Sequence, residues 1–215
     1  MTQSARPRLW GEFLLLYLGA PLVIALLLPP TQMFPALFAC TALGLILLAR
    51  TPGFRWRELR AGWRSWSWGE LLLFAGITLV ACLVVIQITA PAATFALLRD
   101  QPQLLAMIWL LYPLLSALPQ ELLFRPLFYR RYGPLLPAGW RADLLNATIF
   151  AFAHLMYWSW IVAVMTFAGG LVFSWAYRQR GSFFYAVLLH AVAGNILFAV
   201  GLGIYFYSGN VQRPF

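Results

Sequence analysis

The chain has 215 residues, of which 62% are hydrophobic and only 10% are charged. A soluble domain carries about a quarter charged residues, so this composition excludes an ordinary soluble protein. The net charge is +9, every basic residue is an arginine, and most arginines lie in short gaps between apolar segments. This distribution indicates membrane topology rather than nucleic-acid binding.

Apolar segments of the length of membrane helices recur along the whole chain. A helix needs about 20 apolar residues to cross the hydrocarbon core, whereas barrel strands would show an alternating pattern. We therefore predict an all-α, polytopic transmembrane helical bundle of about seven spans in the cell membrane, with the first span as the targeting element and no removable signal peptide. The predicted spans are residues 11–29, 33–49, 71–98, 104–129, 142–159, 161–177 and 183–207.

The arginines also predict the orientation of the bundle. With the N-terminus in the cytoplasm, every arginine except Arg99, Arg125 and Arg213 lies on the cytoplasmic side, as short inner loops require. Aromatic residues at 156–160 and 205–207 then form a belt at the outer interface. The predicted topology is seven spans with a cytoplasmic N-terminus.

Residues 54–68 form a Trp/Arg-rich segment in the longest cytoplasmic gap. Trp56, Leu59 and Trp63 recur at helical spacing, and an arginine follows each of them. This pattern predicts an interfacial amphipathic helix on the inner membrane surface, with a substrate or lipid docking surface as the alternative. Cys40 and Cys82 stand alone in apolar runs and are interpreted as small hydrophobic residues.

Ionisable side chains inside the predicted spans are the candidates for function, because they are costly in a bilayer. Glu121, His154 and His190 lie about 14, 20 and 15 Å from the arginines at the cytoplasmic ends of their helices, at about 1.5 Å per residue. Three proton-active groups from different helices are therefore predicted to meet in one buried pocket. The remaining polar residues of these spans are Arg125, Gln120, Asn146 and Asn195.

Three prolines surround Glu121 in the fourth predicted span. Pro113, Pro119 and Pro126 each remove a backbone donor and disturb the preceding turn. A kinked or broken helix is expected here, with its free carbonyls buried in protein or lining a cavity.

Three short motifs carry a resemblance to a known family. "QELLFR" (120–125), "FAFAH" (150–154) and "HAVAGN" (190–195) resemble the EExxxR, FxxxH and HxxxN motifs of the CAAX prenyl endopeptidase and bacteriocin-processing family (CPBP, or ABI) of intramembrane proteases. The resemblance implies a protease core at residues 104–207, after N-terminal helices at 1–103 and before a short tail at 208–215. It also implies hydrolysis of peptide bonds inside the membrane.

The resemblance assigns roles to individual residues. It implies that Glu121 and His154 activate a water and that His190 and the motif asparagine stabilise the oxyanion, with Arg125 and Phe150 as the motif arginine and phenylalanine. Two positions depart from the family pattern. Gln120 replaces the first glutamate, and an amide cannot act as a general base. Asn195 follows His190 by five residues instead of four, so that Gly194 stands at the motif position.

We predict a glutamic intramembrane peptidase without a cofactor, acting on a membrane-associated polypeptide. In this prediction Glu121 is the general base, His154 positions the water, His190 stabilises the oxyanion and Arg125 holds Glu121. One alternative is a metal-dependent peptidase that binds a divalent ion such as zinc through the glutamate and both histidines.

The same residues also permit functions without peptidase chemistry. A non-catalytic relative in immunity, secretion or scaffolding would explain Gln120 and Gly194, and a proton-coupled transporter could use a Glu/His relay. Glu121 and Arg125 could also form a purely structural ion pair. Asn146 is interpreted as a residue that joins helices through hydrogen bonds.

Overall fold

The computed structural model describes residues 5–214, and within this range it contains helices, turns and loops but no strand. Six helices are long and apolar enough to cross a membrane, which confirms the predicted all-α bundle and makes the protein a multi-pass integral membrane protein. In chain order the main helices are α1 (Arg6–Leu26), α2 (Pro30–Ala49), α3 (Trp68–Thr89), α4 (Pro102–Arg131), the shorter α5 (Trp140–Phe152), α6 (Trp160–Arg178) and α7 (Phe183–Val200).

Serine caps fix the beginnings of three of these helices. The hydroxyls of Ser67, Ser159 and Ser182 accept hydrogen bonds from the backbone N–H groups three residues later, at 3.1, 3.5 and 3.1 Å. Each bond satisfies one of the free donors of a helix start, which stabilises a helix by about 1 kcal/mol. The caps place the first turns of α3, α6 and α7.

The predicted span at 142–159 is wrong in its extent. The helix that forms there, α5, has 13 residues and ends at Phe152. At about 1.5 Å per residue it is about 20 Å long, too short to cross the hydrocarbon core. Residues 153–159 continue without an α-helix, are partly buried, and pack in part against the second half of α1. Irregular backbone is tolerated at membrane depth when protein covers it.

Helix α5 packs closely along α6. A Cβ added at Gly170 of α6 would lie 2.9 Å from the Cα of Ala147 in α5, closer than real Cβ contacts. The absence of a side chain at Gly170 therefore lets the two backbones approach, as small residues do between membrane helices.

Helix α4 is continuous through its three internal prolines, but it widens into π-helix at Pro113–Ala117 and Leu123–Arg131. Side chains from neighbouring helices bind two carbonyls of the second wide segment. The Tyr17 hydroxyl donates to the Leu123 carbonyl at 2.6 Å, and the Asn146 amide donates to the Phe124 carbonyl at 2.8 Å. The expected disturbance is thus a local widening rather than a break.

The predicted amphipathic helix at 54–68 is wrong. The segment contains only a short 3₁₀ helix, Trp56–Arg60, followed by turns and extended residues. Gly62 has a φ of +63°, and a Cβ there would overlap the Gly181 carbonyl oxygen of the loop between α6 and α7. Because the two loops approach so closely at Gly62, the chain turns there. The Trp/Arg spacing alone indicates a continuous helix through this position. Trp56 and Trp63 remain half-exposed, as interfacial tryptophans are.

Ion pairs between helices and loops gather at one end of the bundle. They join residues that the arginine pattern places together on the cytoplasmic side. That this end of the bundle faces the cytoplasm stays a prediction. The pairs are Arg131–Glu12 at 2.6 Å, Arg130–Glu58 at 2.8 Å, Arg178–Asp143 at 2.9 Å and Arg180–Glu70 at 3.0 Å.

Candidate active site

A fully buried ion pair within α4 forms the centre of the site. The Nε of Arg125 donates to Oε2 of Glu121 at 2.7 Å, and its Nη2 donates to Oε1 at 3.4 Å. Neither side chain has any exposed surface. A buried charge is tolerated only when it is paired and hydrogen-bonded, and this two-pronged contact satisfies that condition. Glu121 is therefore held as a carboxylate in a fixed orientation.

The remaining donors of Arg125 connect three helices. Its Nη1 donates to Oδ1 of Asn146 in α5 and, at 3.0 Å, to Oγ of Ser174 in α6. The Ser174 hydroxyl donates to the same Asn146 oxygen at 2.9 Å. The predicted helix-joining role of Asn146 is thus confirmed. The sequence does not predict a role for Ser174, because a single serine in an apolar helix carries no distinguishing signal.

His190 contacts the same carboxylate directly. Its Nδ1 lies 2.8 Å from Oε1 of Glu121, and only 5% of the residue is exposed. The ring stacks on Phe173, with centroids 4.8 Å apart, and meets the edge of Phe150 at 5.7 Å. Because a carboxylate only accepts hydrogen bonds, Nδ1 of His190 carries the hydrogen. A neutral His190 then presents a free lone pair at Nε2.

His154 reaches the site from the irregular segment after α5. Its Nδ1 lies 2.7 Å from the Phe150 carbonyl oxygen, which makes Nδ1 the hydrogen-bond donor and leaves Nε2 as an acceptor. The Phe150 ring lies 4.8 Å from the His154 ring and also contacts His190. The Phe150 ring therefore packs against both histidines. In the described part of the chain, His154 makes no hydrogen bond to Glu121.

The site lies within a segment that matches a known protein family. Residues 102–196 match the family model described as type II CAAX prenyl endopeptidase Rce1-like. This stretch, called the CPBP segment below, covers less than half of the chain and is similar to the CPBP family. All three predicted motifs lie in this range, so the predicted resemblance is confirmed there. Searches of curated proteins and of solved structures find no match. The site therefore lies in the part of the chain that is similar to CAAX-type intramembrane proteases.

Both departures from the CPBP motifs point away from the Glu121–His190 pair. The Gln120 amide donates to Oγ of Ser116 at 2.9 Å, and its carbonyl oxygen is buried without a partner among the described residues. The Asn195 amide donates to the backbone carbonyl of Trp109 at 3.3 Å, and the Trp109 indole donates to the Asn195 backbone at 3.0 Å. Neither amide is directed to the carboxylate or to a histidine.

The donor set of the CPBP segment does not fit the metal alternative. Across residues 5–214, no group of three or more His, Cys, Asp or Glu side chains is placed to hold a metal ion. His190 directs Nδ1 at Glu121, and Arg125 already supplies a positive charge to both carboxylate oxygens. A cation at the carboxylate would meet this guanidinium. What the geometry presents instead is an oriented imidazole beside a buried anion, which is suited to proton transfer.

Proposed function

We propose that the protein is an intramembrane endopeptidase that hydrolyses a peptide bond of a membrane-associated polypeptide with a water activated by Glu121 and His190. The observation that carries the proposal is the 2.8 Å contact between Oε1 of Glu121 and Nδ1 of His190. A carboxylate that binds one ring nitrogen fixes the tautomer and directs the second nitrogen at the reacting group. His190 is then the general base, and Glu121 is its orienting partner.

This assignment exchanges two of the roles that the sequence predicts, in which Glu121 is the base and His190 is the oxyanion donor. A neutral His190 whose Nδ1–H is bound to Glu121 has no second N–H to donate, whereas its Nε2 can accept a proton. Glu121 has three of its roughly four lone-pair sites engaged, by His190 and twice by Arg125.

The hydrolysis follows from these positions. Nε2 of His190 removes a proton from the water while the water oxygen forms a bond to the peptide carbonyl carbon, whose π electrons move to the oxygen. Glu121 stabilises the resulting imidazolium, and Arg125 keeps Glu121 ionised and in place. When the C–N bond breaks, the proton passes from His190 to the leaving amine. His154 presents a second Nε2 acceptor, suited to hold the remaining hydrogen of the water.

The substrate class is inferred from the location of the site and from the family. Glu121 and Arg125 are fully buried in a bundle whose apolar helices are suited to face lipid, so a polypeptide already held in the membrane reaches the site most readily. The family description names a CAAX prenyl endopeptidase, which supports a peptide with a prenylated cysteine near its C-terminus as the first probe.

The test measures cleavage of a quenched fluorescent peptide with a farnesylated CAAX end by the full chain in liposomes. Glu121→Gln and His190→Gln should each lower kcat by about 10²–10⁴-fold, as expected for loss of general-base catalysis. Glu70→Gln is the matched control, because Glu70 pairs with Arg180 at the bundle surface at 3.0 Å and should leave kcat within about twofold of wild type. Cleavage that persists unchanged in a folded Glu121→Gln variant contradicts the proposal.

A non-catalytic membrane protein is the second candidate, and the orientation of two side chains favours it. Gln120 and Asn195 stand at or next to motif positions and are bound to Ser116 and Trp109 outside the central pair. A folded wild-type chain that cleaves neither the farnesylated peptide nor the same peptide without its prenyl group would establish this candidate.

A further inference from the structure

The space beside Gly194 in α7 is filled by a side chain of α4. Gly194 lies one turn after His190, where the CPBP pattern has asparagine, and it is buried. A Cβ built on Gly194 would overlap two ring carbons of Tyr112 in α4 and would lie 2.7 Å from the Tyr112 hydroxyl oxygen. The phenol of Tyr112 therefore fills the space through which an asparagine side chain at 194 would run.

Tyr112 also contacts His190, the partner of the Glu121 carboxylate. Its ring meets the His190 ring edge-on, with centroids 6.0 Å apart. The residue directly precedes the wide segment Pro113–Ala117, so it belongs to the same helix as Glu121. Two residues of α4 thus reach His190 from two different levels of the helix.

The proposed hydrolysis needs a hydrogen-bond donor for the oxyanion, and the motif residues do not supply one. In the neutral state, both histidines have their N–H groups engaged, His190 with Glu121 and His154 with the Phe150 carbonyl. The Gln120 and Asn195 amides are bound to Ser116 and to the Trp109 backbone. A preorganised donor at the oxyanion contributes substantially to peptide hydrolysis, so its absence would be costly.

We infer that Tyr112 is a catalytic residue whose hydroxyl donates a hydrogen bond to the oxyanion of the tetrahedral intermediate, in the place of the asparagine missing at position 194. The inference rests on the proposed function. The phenol keeps its proton throughout. Negative charge develops on the former carbonyl oxygen during attack, and its electron pair re-forms the C=O bond when the C–N bond breaks and the amine leaves with the proton from His190. Gly194 is the partner that this arrangement requires, because any side chain there would displace the ring.

Tyr112→Phe is the first test, since it removes the hydroxyl and keeps the ring against Gly194. With the farnesylated peptide as the probe, kcat should fall by about 10²-fold with KM within about twofold, because the oxyanion exists only after attack. A purely structural role would change stability and leave kcat as it is. A farnesylated peptide aldehyde, whose hydrate resembles the tetrahedral intermediate, should bind the variant about tenfold or more weakly.

Exchange of the donor is the second test. Tyr112→Ala opens the space beside position 194, and Tyr112→Ala combined with Gly194→Asn places an amide there. This double variant should have at least about tenfold higher kcat than Tyr112→Ala, since one oxyanion donor is worth about 10²–10³-fold. The matched control combines Tyr112→Ala with Gly194→Ala, which adds a side chain without a donor and should give no recovery.

The outcomes separate this inference from the proposed function. If Tyr112→Phe keeps kcat within about twofold of wild type while Glu121→Gln is inactive, the role of Tyr112 is wrong and the peptidase proposal stands. If the wild-type chain shows no cleavage that depends on Glu121, the peptidase proposal is wrong and the role of Tyr112 falls with it. The inference is supported if kcat falls in Tyr112→Phe and if Gly194→Asn, but not Gly194→Ala, raises the kcat of Tyr112→Ala.

Discussion

Arg125→Met should destabilise the bundle strongly. The substitution removes the charge but keeps a long, flexible side chain in the same space. Glu121 would lose its contacts at 2.7 and 3.4 Å, and Ser174 and Asn146 would each lose a partner. Glu121 would then remain as a fully buried carboxylate with His190 as its sole remaining partner among residues 5–214. Removal of one member of a buried pair costs about 3–5 kcal/mol, so we expect the free energy of unfolding to fall by about that amount.

The assay is SDS-induced unfolding in mixed micelles, followed by circular dichroism. Arg130→Met is the matched control, because Arg130 is 47% exposed and pairs with Glu58 at 2.8 Å at the bundle end. Such an exposed pair contributes about 0–1 kcal/mol. Combining Arg125→Met with Glu121→Leu should restore at least about 2 kcal/mol relative to Arg125→Met alone, since no unpaired charge remains. If Arg125→Met destabilises no more than Arg130→Met, the account of the buried pair is refuted.

Three further predictions concern packing and topology. Tyr17→Phe should lower the free energy of unfolding by about 1–3 kcal/mol in the same assay, because it leaves the Leu123 carbonyl without the 2.6 Å bond; no loss would contradict this. Gly170→Val should destabilise by about 1–3 kcal/mol, since its Cβ would crowd Ala147, and Gly76→Val, with open space around it, serves as the control. Arg57→Cys should react with an impermeant thiol reagent only from the cytoplasmic side, and labelling from outside would reverse the predicted orientation.

The bundle could be predicted from composition and apolar length, but α5 could not. Residues 142–159 are apolar enough for a span, yet the helix ends at Phe152 and protein covers the partly buried segment that follows. Apolar composition reports that a segment leaves water, and it does not distinguish contact with lipid from contact with neighbouring helices. The prediction for the Trp/Arg segment at 54–68 is wrong for a related reason, because the close approach of Gly62 to Gly181 is a tertiary contact.

For the candidate site, the sequence predicts which residues lie in the cluster better than it predicts their partners. The spacing of Glu121 and Arg125 predicts their pair, and the depth of His190 in the membrane predicts that it can reach them. Spacing cannot show that His190, rather than His154, bonds the carboxylate, because helix rotation sets the direction of each side chain. Ser174 and Tyr112 lie outside all three motifs, and their contacts with the site arise only when α4, α6 and α7 are packed together.

The placement of both charges of the central pair on one helix bears on how this chain enters the bilayer. A lone charge at the centre of a membrane helix costs about 2.5–3.5 kcal/mol at insertion. Glu121 and Arg125 are four residues apart in α4, so they can pair as soon as that helix forms. Helix α4 can thus leave the translocon with this pair electrically neutral, before α5, α6 and α7 have been synthesised. If the arginine were on a later helix, the Glu121 carboxylate would be in the bilayer without a counter-ion until that helix was inserted.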